Sequence, residues 1–179
     1  MREKNRIINV TLFLFSMLVF IVGSSLSQAA DKGKEKKLPM VTIETEKGNI
    51  VFEMYPDVAP KTVARITELV KKGFYNGLKF HRVVPGFVIQ GGDPKGDGTG
   101  GSGKNLPAEF NKMKHVTGTV AMARAQDPNS ADSQFYICLA DQPGLDGQYT
   151  IFGQVTDKAG LEVIQKIRVG DVMKKVTVQ

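Results

Sequence analysis

Residues 79–91 leave this chain few options. Two apolar-rich segments, 79–84 and 87–91, are separated only by Pro85-Gly86, a pair that reverses the backbone within a tight turn. Glycine-rich residues 91–104 follow as loop. Period-two alternation appears elsewhere too. Val41 and Ile43 share a face, as do Ile50, Phe52 and Met54 beyond a turn at Lys47-Gly48-Asn49, which predicts a hairpin. Residues 119–123, 134–139, 150–155 and 172–178 are further strand candidates. Helical spacing is confined to two places. Val63, Ile66, Leu69 and Val70 predict a helix over 60–72, with Pro60 in its first turn and Gly73 beyond its end. Leu161, Ile164 and Ile167 predict a shorter one that Asp157 can cap. The pattern is mostly β with two helices, and so many strands suit a closed antiparallel barrel without exposed edges.

At 179 residues the chain suits one globular domain. Its +6 charge invites a nucleic-acid reading. The bias, however, is concentrated at the start, in Arg2, Lys4, Arg6, Lys32, Lys34, Lys36 and Lys37, not in a stripe over the domain, so no nucleic-acid partner is expected. Residues 1–30 read as an export signal. A basic start precedes an apolar stretch over 7–22, and Ser27-Gln28-Ala29 puts small residues where a signal peptidase reads, near Ala29 or Ala30. The alternative is a membrane anchor formed by 7–22, a stretch slightly short for a span and interrupted by Asn9, Thr11 and Ser16. With cleavage, no stable membrane insertion is expected and the location is periplasmic. Residues 31–38 are a charged linker, and 39–179 form the domain. Cys138 is the only cysteine, so no intramolecular disulfide is possible, and its apolar neighbours predict a buried thiol.

Several motifs fail on inspection. Residues 98–104 imitate a phosphate-binding loop, but Asn105 stands where a hydroxyl should meet magnesium, and Pro107 disfavours the helix that must follow. Asp93 and Asp97 lack the acidic residue that would complete a calcium loop. Two histidines and no Gly-x-Ser-x-Gly elbow leave little for a nucleophilic triad. Read alone, His81 is structural, pointing into the wall if its neighbour Arg82 faces a groove. His115 lies in a basic loop and receives no role.

What remains is an ordered set: His81-Arg82, Phe87-Val88, Gln90, Ala123-Arg124, Gln134, Tyr136 and Leu145-Asp146-Gly147. In that order these residues closely resemble the cyclophilin family of peptidyl-prolyl cis-trans isomerases over nearly all of the chain beyond its targeting segment. The resemblance implies a closed eight-stranded antiparallel barrel capped by two helices, acting without cofactor or metal, and as a monomer, on proline-containing unfolded or partly folded client proteins. It implies Arg82, Gln90 and Gln134 as catalytic residues. His81, Phe87, Val88, Ala123, Arg124, Tyr136, Leu145 and Tyr149 are implied as substrate-binding. The family commonly has Met at position 88, Phe at 136 and Asn at 124, where this chain has Val88, Tyr136 and Arg124, and a Trp common in its eukaryotic members is replaced by Gly144, and a His by Tyr149. Tyr136 thereby brings a hydroxyl that needs a partner or solvent.

The implied chemistry is economical. Amide rotation loses resonance over a barrier of about 18–20 kcal/mol. For Xaa-Pro bonds the isomers differ by only about 0.5–1 kcal/mol, yet exchange takes tens to hundreds of seconds. No bond to a heavy atom breaks, so neither metal nor nucleophile is needed, only preference for the twisted amide. The alternative function is a non-catalytic proline-peptide binding module or holdase chaperone.

Overall fold

The computed structural model describes residues 37–179; the predicted export signal and most of the predicted charged linker lie outside this range. Eight strands form one antiparallel sheet: β1 Met40–Thr45, β2 Gly48–Met54, β3 Arg82–Val84, β4 Val88–Gly91, β5 Thr119–Met122, β6 Phe135–Cys138, β7 Ile151–Val155 and β8 Lys175–Val178. Two helices, α1 Pro60–Lys71 and α2 Lys158–Lys166, complete the fold. In the sheet the strands run β3-β4-β6-β5-β7-β2-β1-β8.

The expected closed barrel is corrected here: the sheet is open, and no ladder joins β8 to β3. What lies between them is irregular backbone just ahead of each edge strand. Lys79 forms an isolated antiparallel bridge with Val172, and Gly77, Leu78 and Phe80 exchange backbone hydrogen bonds with residues 170–173. Strand β3 is accordingly shorter than the apolar pattern over 79–84 predicts.

Other elements follow their local chemistry. The first hairpin turns at Glu46-Lys47, one residue earlier than the sequence predicts, because Thr45 pairs with Gly48 and its Oγ1 closes the turn on the Gly48 carbonyl at 2.7 Å. Helix α2 begins where the Asp157 carboxylate accepts the Gly160 N–H at 2.7 Å, a side-chain cap.

Alternation divides the strands between two apolar clusters. Ile43, Ile50, Phe52, Met54, Ile89, Val120, Phe135, Ile137 and Phe152 enter the main core with the buried faces of both helices. Val88, Ala121, Tyr136, Cys138 and Ile151 point the other way and form a second cluster, with Phe87, Met113, Ala123, Leu145 and Tyr149 partly buried around it. Those central strands are buried on both faces, which is why 135–138 and 120–122 read as unbroken apolar runs. The second cluster floors the candidate site.

Candidate active site

Strand register sets the site's main row. Arg82 pairs with Gln90, Gln90 with Tyr136, and Tyr136 with Ala121, so four side chains from β3, β4, β6 and β5 lie side by side. Gln134 precedes Tyr136 by two residues and shares its face. Phe87 reaches the same groove although it is an odd number of residues from Gln90, because it belongs to the turn and not to β4. Val84, Pro85, Gly86 and Phe87 make that turn, with Gly86 at φ 70° and the Phe87 N–H bonded to the Val84 carbonyl at 3.0 Å. Proline followed by a glycine at positive φ is the chemistry of a type II turn.

Nine residues line a cavity of about 310 Å³: Arg82, Phe87, Val88, Gln90, Ala123, Arg124, Tyr136, Leu145 and Tyr149. A second cavity of about 220 Å³ adjoins it, sharing Gln90, Ala123 and Arg124 and adding Gln134, Gly98, Thr99 and Gly100 among others. Thus ten of the eleven implied site residues surround one continuous groove. His81 does not line it. Its imidazole lies behind the glycine-rich loop, Nε2 close to Gly98, and both ring nitrogens are buried without a hydrogen-bond partner. Burial lowers its pKa.

Polar groups form a directed chain across the groove. Arg82 Nη1 donates to Gln90 Oε1 at 3.3 Å, and the guanidinium sits 5.6 Å from the centre of the Phe87 ring. Gln90 Nε2 donates to Gln134 Oε1 at 2.9 Å, and Gln134 Nε2 donates to the carbonyls of Gly98 and Gly100 at 2.9 and 2.8 Å. Each amide is fixed by a donor on one side and an acceptor on the other. The chain ends on residues 91–104, the loop that imitates a phosphate site. Here that loop is wrapped around a carboxylate of its own: Asp93 accepts the N–H groups of Lys95, Asp97 and Gly98 at 2.8, 3.1 and 2.6 Å. Burial would raise the pKa of Asp93, yet these backbone donors hold it below the usual range.

Arg124 is similarly occupied. It donates through Nε and Nη2 to the Gln148 carbonyl at 3.2 and 3.0 Å, and through Nη1 to the Ala125 and Gln126 carbonyls. Its guanidinium lies 4.7 Å from the Tyr149 ring centre and 5.9 Å from that of Phe110. This fixes a positive charge where the two cavities meet.

Sequence reasoning gave His115 no role, and the structure buries it beneath Tyr136, whose hydroxyl is 2.9 Å from His115 Nε2. Burial also pushes the Tyr136 phenol above its ordinary range. The signal available in the sequence was a tyrosine in an apolar strand, a residue that demands a polar partner when buried.

An apolar floor, an arginine at one rim and a fixed row of amides can hold a ring still while directing donors at the bond beside it. Comparison with known proteins identifies the family of the chain. Residues 40–179 match the family model described as cyclophilin type peptidyl-prolyl cis-trans isomerase. A peptidyl-prolyl cis-trans isomerase of Helicobacter pylori is 46% identical over 142 residues, covering 78% of this chain and 86% of the relative. Peptidyl-prolyl cis-trans isomerase B of Bacillus subtilis is 49% identical over 137 residues, covering 75% and 94%. Among solved structures, a cyclophilin type isomerase of Cryptosporidium parvum superposes with a TM-score of 0.74 at 30% identity, covering 80% of this chain and 98% of that one.

Proposed function

The chain belongs to the cyclophilin-type peptidyl-prolyl cis-trans isomerases and accelerates rotation about Xaa-Pro bonds in proline-containing chains, and we propose that it does so in the groove between Arg82 and Leu145, on unfolded or partly folded client proteins outside the cytoplasm.

The single observation supporting this site is the placement of one charged fork over an apolar groove. Phe87, Val88, Tyr136 and Leu145 offer an apolar seat for the pyrrolidine ring. Arg82 spends one of its five N–H donors on Gln90, which leaves others for the substrate. As the amide twists, the proline nitrogen regains its lone pair and becomes an acceptor, and a guanidinium donor then stabilises the twisted form above both planar ones. Gln90 and Gln134 hold Arg82 and the substrate backbone in register, and Ala123 and Arg124 flank the residue before proline. Lowering the barrier by about 7 kcal/mol in this way gives roughly a 10⁵-fold acceleration.

Prolyl exchange of a short Xaa-Pro peptide tests this with the wild-type domain and Arg82→Ala. Losing a donor aimed at the transition state lowers kcat about 10²–10³-fold. Arg82→Ala with full activity would place the chemistry elsewhere.

Export rests on the basic start, the apolar stretch over 7–22 and the small residues before Ala30. N-terminal sequencing of the protein recovered from the periplasmic fraction is expected to begin near Asp31; a cytoplasmic protein retaining Met1 overturns this location, and a full-length protein in the membrane favours the anchor. Action as a monomer, independent of nucleic acid, completes the proposal and is checked by sedimentation of the purified protein with and without added DNA.

A further inference from the structure

The groove's floor carries a phenol where a plain ring would serve, and its hydroxyl is already engaged. Tyr136 Oη lies 2.9 Å from His115 Nε2, and His115 Nδ1 lies 3.1 Å from Asp146 Oδ1. The same carboxylate oxygen accepts the His115 backbone N–H at 2.9 Å, while Lys114 Nζ holds the other oxygen at 3.0 Å. The imidazole is completely buried.

Proton positions follow from the partners. An ionised carboxylate only accepts, so Nδ1 carries the proton; Nε2 of a neutral ring then accepts from the Tyr136 hydroxyl. Three rings pack around this chain. His115 and Tyr136 stack with centroids 6.1 Å apart, and Tyr149 stands edge-on to both, at 5.7 Å from Tyr136 and 6.4 Å from His115. Asp146 immediately follows Leu145, which forms another wall of the groove. One imidazole therefore joins the floor, contributed by β6, to the wall on the 143–149 segment, which no strand ladder ties to β6.

We propose that His115 is a positioning residue for isomerisation, setting the spacing between the Tyr136 floor and the Leu145 wall through hydrogen bonds to Tyr136 and Asp146, so that the pocket meets the proline ring already formed. This rests on the assignment of the groove as the substrate site. A preformed pocket spares the ordering cost of binding, so its loss registers in KM more than in kcat.

His115→Phe keeps a ring in the stack and removes both side-chain hydrogen bonds, leaving the Tyr136 hydroxyl buried without a partner. KM for a short Xaa-Pro peptide is expected to rise about five- to ten-fold, with kcat changed less than about two-fold. The double variant His115→Phe/Tyr136→Phe, with no hydroxyl left to satisfy, recovers most of that loss. An unchanged KM in folded His115→Phe, or a double variant no better than the single one, overturns the proposal. Nitrogen-15 spectra of the wild-type imidazole supply a readout that needs no variant to fold: a neutral ring protonated at Nδ1 is expected, and one protonated at Nε2 overturns it. Full activity in Arg82→Ala would instead remove the groove assignment, whereas an inactive Arg82→Ala beside an unaltered His115→Phe removes only this inference.

Discussion

The Glu109 carboxylate accepts the backbone N–H of Thr62 at 2.8 Å across 47 residues of chain, and that of Lys61 at 2.9 Å with its other oxygen. Helix α1 has Ala59 at its N-cap with no side-chain cap, no acidic residue in its first turn, and Pro60 at its first position, which has no N–H to satisfy. Glu109 thus takes both donors left over at that end. Glu109→Ala is expected to lower unfolding free energy by about 1–2 kcal/mol, and Glu109→Gln by less, since the amide oxygen still accepts but the charge is gone. Urea denaturation measures both, and equal stability of all three proteins would show that the helix needs no such cap.

Gln90 is the link between Arg82 and Gln134. Gln90→Leu keeps the size of the side chain and removes both bonds. A hydrogen bond to a charged group contributes about 1.5–3 kcal/mol, so kcat/KM is expected to fall roughly ten-fold or more while the denaturation midpoint barely moves. A variant with wild-type kcat/KM would show that Arg82 needs no such support.

Backbone donation from His115, with help from Lys114, brings the Asp146 pKa down to about 2. A carboxylate depressed on folding stabilises the protein above its unfolded pKa, about 3.9, and that contribution disappears as pH falls through the folded value. Wild-type thermal midpoints should therefore decline between about pH 4 and pH 2 more steeply than those of Asp146→Asn. Parallel curves for the two proteins would mean that the carboxylate's ionisation is not coupled to folding.

Arg124 sets a positive charge beside the position expected for the residue preceding proline. Exposed ion pairs contribute about 0.2–1 kcal/mol, so the kcat/KM ratio for Glu-Pro over Lys-Pro peptides should fall about two- to three-fold in Arg124→Ala. The difference should shrink as salt is added. A ratio indifferent to the substitution would place the preceding side chain away from Arg124.

Burial in the second apolar cluster pushes the Cys138 thiol up to about 12. Thiolate is the reactive form, so iodoacetamide at mildly alkaline pH should leave the native protein unmodified and label it fully in urea. Rapid labelling of the native state would mean that β6 opens readily.

Much of this molecule was legible in its sequence because alternation and turn chemistry are local. Val41, Ile43, Ile50, Phe52 and Met54 are buried as their spacing requires. Gln134 and Tyr136 share a face, and Pro60 and Gly73 bracket α1. The missing closure was not local. Whether β8 meets β3 is decided by how residues 77–80 meet residues 170–173, irregular segments about ninety positions apart that carry no periodic signature. His115 was hidden for a related reason, since its partners Tyr136 and Asp146 lie 21 and 31 residues away. Phe87 shows the opposite case: strand arithmetic puts it on the wrong face, and the Pro85-Gly86 turn already contains the remedy.

The division of the strands between two apolar clusters makes the sheet a partition between two traits. Val88, Gln90 and Tyr136 face the groove, while Ile89, Phe135 and Ile137, their immediate neighbours in the chain, face the main core. A library varied on the first set explores which prolines are turned over, and one varied on the second explores how hot the protein can be run. Selection can thus reshape the preference of this enzyme along one parity of the same strands and its endurance along the other.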